Sequence, residues 1–237
     1  MSANIHRQTE VIDLGLIDYK ECWDYQTELF NGILDIKKAN RAGSTQMPTK
    51  NFLIFCEHPH VFTLGKSGEE KNLLIARADL PSIDATYYHI NRGGDITYHG
   101  PGQMVVYPII DLENFFTDIH KYMRLLEEAV IQTLSEFGIA SGRVQGLTGV
   151  WLDGHDIKRA RKISAMGVKT SRWVTMHGLA FNVNTNLSYF DYIVPCGIED
   201  KAVTSMEREK GSTQDMQKVK TVLQSKLTSL FGMTLVN

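Results

Sequence analysis

The stretch that most constrains the fold covers residues 92–112 and has the sequence RGGDITYHGPGQMVVYPIIDL. Its first half holds four glycines within ten residues, interleaved with charged, hydroxyl and ring side chains, which is a poor composition for a hydrophobic core. Glycine allows positive φ and lets a ligand approach the backbone, and the interleaved polar groups can orient that ligand. The second half is apolar and β-prone. The stretch therefore predicts a ligand-binding glycine segment mounted on a buried strand, with a tight hairpin as the alternative.

Length and composition limit the domain count, the compartment and the partners. The 237 residues, 43% of them hydrophobic, are enough for one full core, and we expect a single domain over residues 1–237. A formal net charge of −2 leaves no excess of Lys and Arg for a phosphate backbone, so no nucleic acid partner is expected. Three widely spaced cysteines are typical of a reducing compartment. With neither a signal pattern nor an apolar run of about 18 residues, we expect a cytoplasmic protein that does not bind membranes.

Hydrophobic periodicity predicts a mixture of strands and helices. Strands are expected at residues 11–16 (a sheet edge), 51–56, 57–65 (after a turn at Pro59), 85–91, 104–112, 149–152, 162–169, 173–184 and 191–198, the last ending in a turn. Helices are expected after Asp18, with Cys22 on the buried face, after Thr117 or Asp118, and from about Asp215. Residues 37–50 are expected to form a surface loop.

One alternation of possible metal ligands occurs at Cys56, His58 and His60. On a straight strand these three side chains would share one face. Pro59 breaks that geometry, and no fourth ligand follows at a familiar zinc spacing. We therefore expect histidines at a turn and no metal site.

Two residues are candidates for nucleophilic catalysis. Cys196 lies between Pro195 and Gly197, where a turn can present the side chain, although a small apolar plug is the alternative. With a reference pKa of about 8.5 the thiol needs a neighbouring cation or base. Lys162 opens an otherwise apolar run, and a partly buried lysine can accept a proton near neutral pH. An ordinary lysine with its amine in water is the alternative there.

Two histidines, His99 and His177, each precede a glycine. Either could serve as a general base. Because histidines with structural roles are commoner, the sequence assigns neither of them a catalytic role.

Six segments, in this order along the chain, resemble the lipoyl (octanoyl) transferases. They are residues 57–65 (EHPHVFTLG), 92–112, 149–151 (GVW), 162–168 (KISAMGV), 177–183 (HGLAFNV) and 195–198 (PCGI). The resemblance implies an α/β (α+β) fold with a mixed β-sheet backed by helices, like that of biotin and lipoate protein ligases. It also implies a single octanoyltransferase catalytic domain that needs no cofactor.

The same resemblance implies the reaction and its partners. An octanoyl or lipoyl group would pass from acyl carrier protein, through a cysteine thioester, to a specific lysine of lipoyl domains, the first step of protein lipoylation. The acceptors would be the lipoyl domains of 2-oxoacid dehydrogenase complexes and the H protein of the glycine cleavage system. Two rival hypotheses are an ATP-dependent lipoate-protein ligase on the same fold and a non-catalytic acyl-binding protein.

The resemblance assigns residues as well. The acyl-thioester cysteine falls on Cys196, and the lysine that lowers the pKa of that thiol falls on Lys162. The acyl-substrate segments map onto Arg92, Gly93, Gly94, Asp95, Ile96, Thr97, Tyr98 and His99, onto Ala165, Met166 and Gly167, and onto Gly178, Leu179 and Ala180. The chain departs from the family pattern in its loops at residues 37–50 and 66–82, and at His60, where a second proline is common. Both Cys196 and Lys162 count against the two rivals, since a ligase needs no nucleophilic cysteine and a binding protein needs neither residue.

Overall fold

A computed structural model of the chain describes residues 6–156, 158–194 and 202–236. The strands are β1 (Gln8–Leu16), β2 (Asn51–Glu57), β3 (Val61–Leu64), β4 (Thr86–His89), β5 (Ile96–His99), β6 (Gln103–Ile109), β7 (Val150–Leu152), β8 (Arg161–Ser171), β9 (Val174–Asn182), β10 (Ala202–Val203) and β11 (Thr234–Val236). The α-helices are α1 (Tyr19–Arg41), α2 (Ile119–Glu136), α3 (Met206–Lys210) and α4 (Met216–Phe231).

The described strands form two β-sheets. The larger has the order β10-β8-β9-β6-β2-β1-β11, and β7 adds to β8. At the two ends of this sheet the strands pair in parallel, in β11-β1-β2 and in β10-β8. Between them, β2, β6, β9 and β8 pair antiparallel in that order. The smaller sheet has the order β4-β3-β5. The predicted mixed sheet is confirmed.

Side chains that alternate along the central strands contact helices on both faces of the larger sheet. In β2, Leu53 and Phe55 pack with residues of α2 and α4. Ile54 and Cys56, which point the other way, pack with residues of α1. Because both faces are covered, this strand is apolar at nearly every position, as its sequence indicated.

The three predicted helices are confirmed, and aspartates cap each of them. The carboxylates of Asp18, Asp118 and Asp215 accept hydrogen bonds from backbone N–H groups of the first turns of α1, α2 and α4. Cys22 lies on the buried face of α1, as predicted. No helix within the described ranges is both long and apolar enough to cross a membrane.

Three expectations about local structure were wrong, and the hairpin alternative for the glycine segment is contradicted. β1 is not at the sheet edge, because β11, which the sequence did not predict, pairs with it in parallel. The 37–50 segment begins as helix, since α1 continues to Arg41 and Lys37 forms a buried ion pair with Asp111 at 2.5 Å. Residues Leu187–Tyr192 form a 3₁₀ helix, so no strand begins at residue 191, and residues 195–198 lie outside the described residues. The glycine segment is not a hairpin, because β5 pairs with β3 while β6 pairs with β2 and β9.

Candidate active site

A cavity of about 410 Å³ lies between strands of the two sheets. That volume is in the range that holds small-molecule ligands. Among the described candidates, those that line it are Arg92, Gly93, Gly94, Asp95, Ile96, Thr97, His99, Lys162, Ala165, Met166, Gly167, Gly178, Leu179 and Ala180. Three segments that are distant in sequence therefore meet around one cavity. Cys196 lies outside the described residues.

The glycine segment is fixed to both sheets by hydrogen bonds. The Gly93 N–H donates to the Val168 carbonyl in β8 at 2.9 Å. On the other side, the buried guanidinium of Arg92 donates to the carbonyl of Thr63 in β3 at 2.7 Å and to its hydroxyl at 3.0 Å. A charge-assisted bond inside the protein is among the stronger hydrogen bonds. Arg92 therefore holds the segment in place while it also forms part of the cavity wall.

Two glycines face each other across β8 and β9, namely Gly167 and Gly178. A Cβ on Gly167 would lie 2.8 Å from the Gly93 carbonyl oxygen, and a Cβ on Gly178 would lie 2.1 Å from the Val106 carbonyl oxygen. Both atoms belong to backbone, so they cannot move aside cheaply. The close approach of neighbouring backbone segments therefore requires glycine at both positions, whether or not a ligand binds.

We expect Gly178→Ala to lower the free energy of unfolding by about 3 kcal/mol, because the added methyl group overpacks the contact between β6 and β9. Urea denaturation measures this. Gly32→Ala is the matched control, since a Cβ at Gly32 in α1 meets no atom within 4 Å. That control should raise stability by about 0.5–1 kcal/mol. Equal stabilities of the two variants would contradict the packing argument.

Tyr98 is the one described candidate that does not line the cavity. It lies in β5 between Thr97 and His99, so the alternation of a strand turns its side chain to the opposite face. There its hydroxyl lies 2.7 Å from His60 Nδ1, and its ring stacks on Tyr189 with the centroids 5.0 Å apart. Its side chain belongs to the core of the smaller sheet.

His99 is held in one tautomer by Gln103. The Gln103 amide nitrogen donates to the Tyr98 carbonyl and to Asn182 Oδ1, so its Oε1 must accept from His99 Nδ1–H, at 2.7 Å. Burial, assisted by nearby His58 and by the positive charge of Arg92, lowers the pKa of His99 to about 3. A ring this hard to protonate is a weak base. The general-base role that the sequence left open for His99 is therefore not favoured.

His177 is neutral for a similar reason. Its backbone has a left-handed φ of 61°, and its N–H donates to Gln26 Oε1 in α1. Burial, together with the charge of Arg92, lowers its pKa to about 3. The ring lines the cavity, and its Nδ1 is buried without a hydrogen-bond partner among the described atoms. His177 thus adds a neutral polar edge to the cavity.

These pKa values predict a loss of stability in acid. For His99 and His177 the folded pKa of about 3 lies below the unfolded value of 6.5, so the unfolded chain binds more protons between those pH values. The free energy of unfolding should therefore have its full value above about pH 6.5. Below that pH it should fall as pH falls, by up to about 1.4 kcal/mol per pH unit for each ring. Urea denaturation from pH 7 to pH 4 tests this. His99→Gln should reduce the slope, whereas His89→Gln, at an exposed position, should not.

Lys162 is half-buried at the cavity wall. It lies in β8 in register with Trp151 of β7 and with Val203 of β10, which also lines the cavity. Its Nζ lies 4.6 Å from the centroid of the buried Trp151 ring, close enough for a cation–π interaction. The lysine that the sequence singled out is thus oriented by an aromatic side chain from the neighbouring GVW segment.

A buried carboxylate supports the chain segment beside Lys162. Glu127 in α2 is fully buried, and its Oε1 accepts from the Gly149 N–H at 3.0 Å. Its Oε2 lies 2.9 Å from Arg143 Nε and 2.8 Å from Arg124 Nη1. A Cβ on Gly149 would lie 3.5 Å from the Lys162 side chain. Sequence reasoning missed Glu127, since a glutamate next to Glu128 in an amphipathic helix resembles a surface residue.

We expect Glu127→Ala to destabilise the protein by about 3 kcal/mol, because it leaves the buried Gly149 N–H group without its acceptor and removes the buried carboxylate that Arg124 and Arg143 share. Glu128→Ala is the control, since Glu128 pairs with the same Arg143 but is 33% exposed, and should cost less than about 1 kcal/mol. Chemical denaturation measures both, and a Glu127→Ala variant as stable as Glu128→Ala would refute the anchoring role.

Other cavity residues were also missed in the sequence. Tyr19 at the start of α1 and Tyr107 in β6 contribute to the lining. The only sequence pattern that could have indicated Tyr107 was the alternation of a buried strand. No sequence pattern indicated Tyr19. Their positions depend on how α1 packs across the sheet.

The chain belongs to the family of lipoyl protein ligase A/B catalytic domains, whose model matches residues 18–228. It is 59% identical over 239 aligned residues to a protein named octanoyltransferase from Cytophaga hutchinsonii, covering 100% of this chain and 98% of that one. It is 58% identical to an octanoyltransferase from Christiangramia forsetii, covering 96% and 97% of the two chains. The resemblance noted in the sequence is confirmed at the level of the family.

Solved structures show the same fold at low sequence identity. A bipartite lipoate protein ligase from Thermoplasma acidophilum matches with a TM-score of 0.65 at 14% identity, covering 98% of this chain and 88% of that one. A lipoate-protein ligase A bound with ATP matches with a TM-score of 0.64 at 15% identity, covering 98% and 90%. The predicted likeness to the lipoate protein ligase fold is confirmed.

Proposed function

We propose that this protein is an octanoyltransferase of protein lipoylation, in which Cys196 carries an octanoyl group from acyl carrier protein to a lysine of a lipoyl domain and Lys162 accepts and returns the protons. The relatives named octanoyltransferase align over nearly the full length of both chains, which supports octanoyl transfer as the activity. The thioester on Cys196, the carrier-protein donor, the individual acceptors and a cytoplasmic location are parts of the proposal.

The observation that carries the proposal is that Lys162 lines the same cavity as residues of all three proposed substrate segments. The described flanks of residues 195–201 support Cys196 as its partner. Before that segment, the Val194 N–H donates to the Asn72 carbonyl, and the Asn72 side chain in turn donates to Asp95 of the glycine segment. After it, Val203 pairs in register with Lys162.

The cavity lining suits an acyl chain. Its apolar surface comes from side chains of several elements, among them Met123, Leu147, Met166, Val168, Leu179 and Phe190. An eight-carbon chain gains free energy mainly by leaving water, at about 0.8 kcal/mol per buried CH₂ group. The polar edge formed by Arg92, His99 and His177 would then limit how the chain is placed.

The proposed reaction has two half-reactions. The thiol proton of Cys196 passes to the Lys162 amine, the thiolate attacks the carrier thioester, and the carrier thiol leaves with that proton. A deprotonated lysine of the lipoyl domain then attacks the acyl-enzyme, forming an amide and returning the thiol. In this proposal Lys162 accepts the proton that the attacking amine loses and passes it to the departing Cys196 thiolate, which becomes the thiol again. Because a thioester is converted into an amide, the transfer is downhill without ATP.

The test is to incubate the protein with octanoyl-acyl carrier protein and a lipoyl domain, and to follow the intact masses of all three. We expect the lipoyl domain to gain one octanoyl group without ATP. A parallel reaction contains free octanoate and ATP in place of the carrier. Modification only in that second reaction would mean that the protein is a ligase, and modification in neither, with octanoate still bound, would favour a non-catalytic acyl-binding protein.

A further inference from the structure

Three side chains that the acyl-transfer reaction does not use lie together between α1 and the larger sheet. Cys22 comes from α1, Cys56 from the end of β2, and His58 follows two residues later. All three are buried, and their ligating atoms, the two Sγ atoms and a ring nitrogen, lie within 4.8 Å of one another. The sequence had grouped Cys56 and His58 with His60, but His60 instead lies against Tyr98. The third member is supplied by a helix that is distant in sequence.

The His58 ring is in the tautomer that a metal ion requires. Its Nδ1 lies 2.9 Å from the Ile17 carbonyl oxygen. Since a carbonyl can only accept, Nδ1 carries the hydrogen, and Nε2 is left as an acceptor that lies 2.9 Å from Tyr107 Oη and 3.5 Å from Cys56 Sγ. Metal-binding histidines are commonly held in this way, with the second nitrogen donating to a backbone carbonyl.

The distances suit a tetrahedral zinc ion. With Zn–S of about 2.3 Å and Zn–N of about 2.0–2.1 Å, sulfur and nitrogen ligands are separated by about 3.6 Å and two sulfurs by about 3.8 Å. Cys56 Sγ lies 3.5 Å from His58 Nε2, and the remaining pairs lie within 4.8 Å, so shifts of about 1 Å or less complete the geometry. Tyr107 Oη lies 2.9 Å from the same Nε2 and can move into the fourth position.

Charge and surroundings favour zinc as well. Two thiolates neutralise Zn²⁺, so the loaded site adds no net charge to the buried cluster. The Gln26 side chain is fixed by accepting the His177 N–H, and its amide donates to Cys22 Sγ at 3.8 Å, a contact that stabilises a thiolate.

We propose that Cys22, Cys56 and His58 form a zinc-binding site, with Tyr107 Oη as the fourth ligand. With Tyr107 Oη moved into the fourth position, protein atoms would fill the coordination sphere, which is the arrangement of a structural zinc site. It ties α1 to β2 behind the acyl cavity, since Tyr107 also forms part of the cavity wall.

The test uses the full-length protein, grown with added zinc and kept reduced by a phosphine. We expect about one zinc ion per chain by elemental analysis, and a dissociation constant below about 1 µM in competition with a chromophoric chelator. Cobalt substitution should give a sulfur-to-cobalt charge-transfer band and the visible spectrum of a tetrahedral ion. Cys196→Ala, which removes the remaining thiol, should bind zinc as the parent does.

Cys22→Ser and Cys56→Ser should each weaken zinc binding at least tenfold and abolish the rise in melting temperature that zinc gives the parent. Parent protein without bound zinc, or zinc binding unchanged in Cys22→Ser, would overturn the proposal. So would loss of zinc in Cys196→Ala, which would place the metal at the acyl-transfer site. If the serine variants do not fold, the parent's cobalt spectrum decides, since a spectrum without sulfur ligation also overturns the proposal.

Discussion

Cys196→Ala is expected to abolish the covalent octanoyl adduct that we expect the parent protein to form with octanoyl-acyl carrier protein. The other two thiols are poor candidates for the nucleophile, because Cys22 and Cys56 are buried and burial raises the pKa of the Cys56 thiol. In the parent, intact-mass analysis should find one added octanoyl group that hydroxylamine removes, as a thioester requires. Overall transfer to the lipoyl domain should fall by about 10⁴-fold or more, since removal of a nucleophile that acts as part of a unit has effects of that size.

Matched controls are Cys22→Ala and Cys56→Ala, which remove the other two thiols. Both should still form the adduct, measured at a temperature at which circular dichroism finds them folded. An adduct that persists in Cys196→Ala, or that is lost only in one of the control variants, would place the nucleophile elsewhere.

Lys162→Arg is expected to separate the two half-reactions. Arginine would keep the positive charge that the proposed mechanism requires beside the thiol, but it does not give up its proton in proteins. The charge can still favour thiolate, so the acyl-enzyme should form slowly. The second half-reaction also requires an acceptor for the proton that the attacking amine loses, and general-base assistance is worth about 10²–10⁴-fold. We therefore expect transfer to the lipoyl domain to be slowed more than acylation, so that the acyl-enzyme accumulates.

Mass spectrometry of each half-reaction, with and without ATP, measures the two rates separately. A suitable control is Lys169→Arg, which changes a lysine of the same strand whose Nζ lies 5.0 Å from the Phe30 ring centroid, away from Trp151. That variant should acylate and transfer like the parent. Parent-like transfer by Lys162→Arg would exclude the proton-acceptor role and leave Lys162 as a fixed charge.

Much of the local structure could be predicted because its causes are local. The caps Asp18, Asp118 and Asp215 precede amphipathic runs, and the structure begins a helix at each of them. The uninterrupted apolar run of β2 indicated a strand covered on both faces, as it is. In contrast, β10 and β11 are only two and three residues long, too short for a periodic signal, and exist because a neighbouring strand offers them hydrogen bonds.

For the site, the sequence by itself determined which segments carry unusual residues. The glycine segment, the KISAMG run and the HGLA run were all identified from composition and resemblance, and the structure brings them to one cavity. The role of Cys196 remains a prediction, because that residue lies outside the described residues.

Tertiary structure alone decided which side of each segment faces the cavity and what lies behind it. Strand alternation turns Tyr98 away from the cavity, and burial makes His99 and His177 weak bases. Cys22 meets Cys56 and His58 because α1 crosses the sheet at that point, and no local pattern encodes a contact between residues 34 positions apart. A sequence fixes local conformation through nearby neighbours, whereas burial, pKa and the grouping of distant side chains depend on how the elements pack.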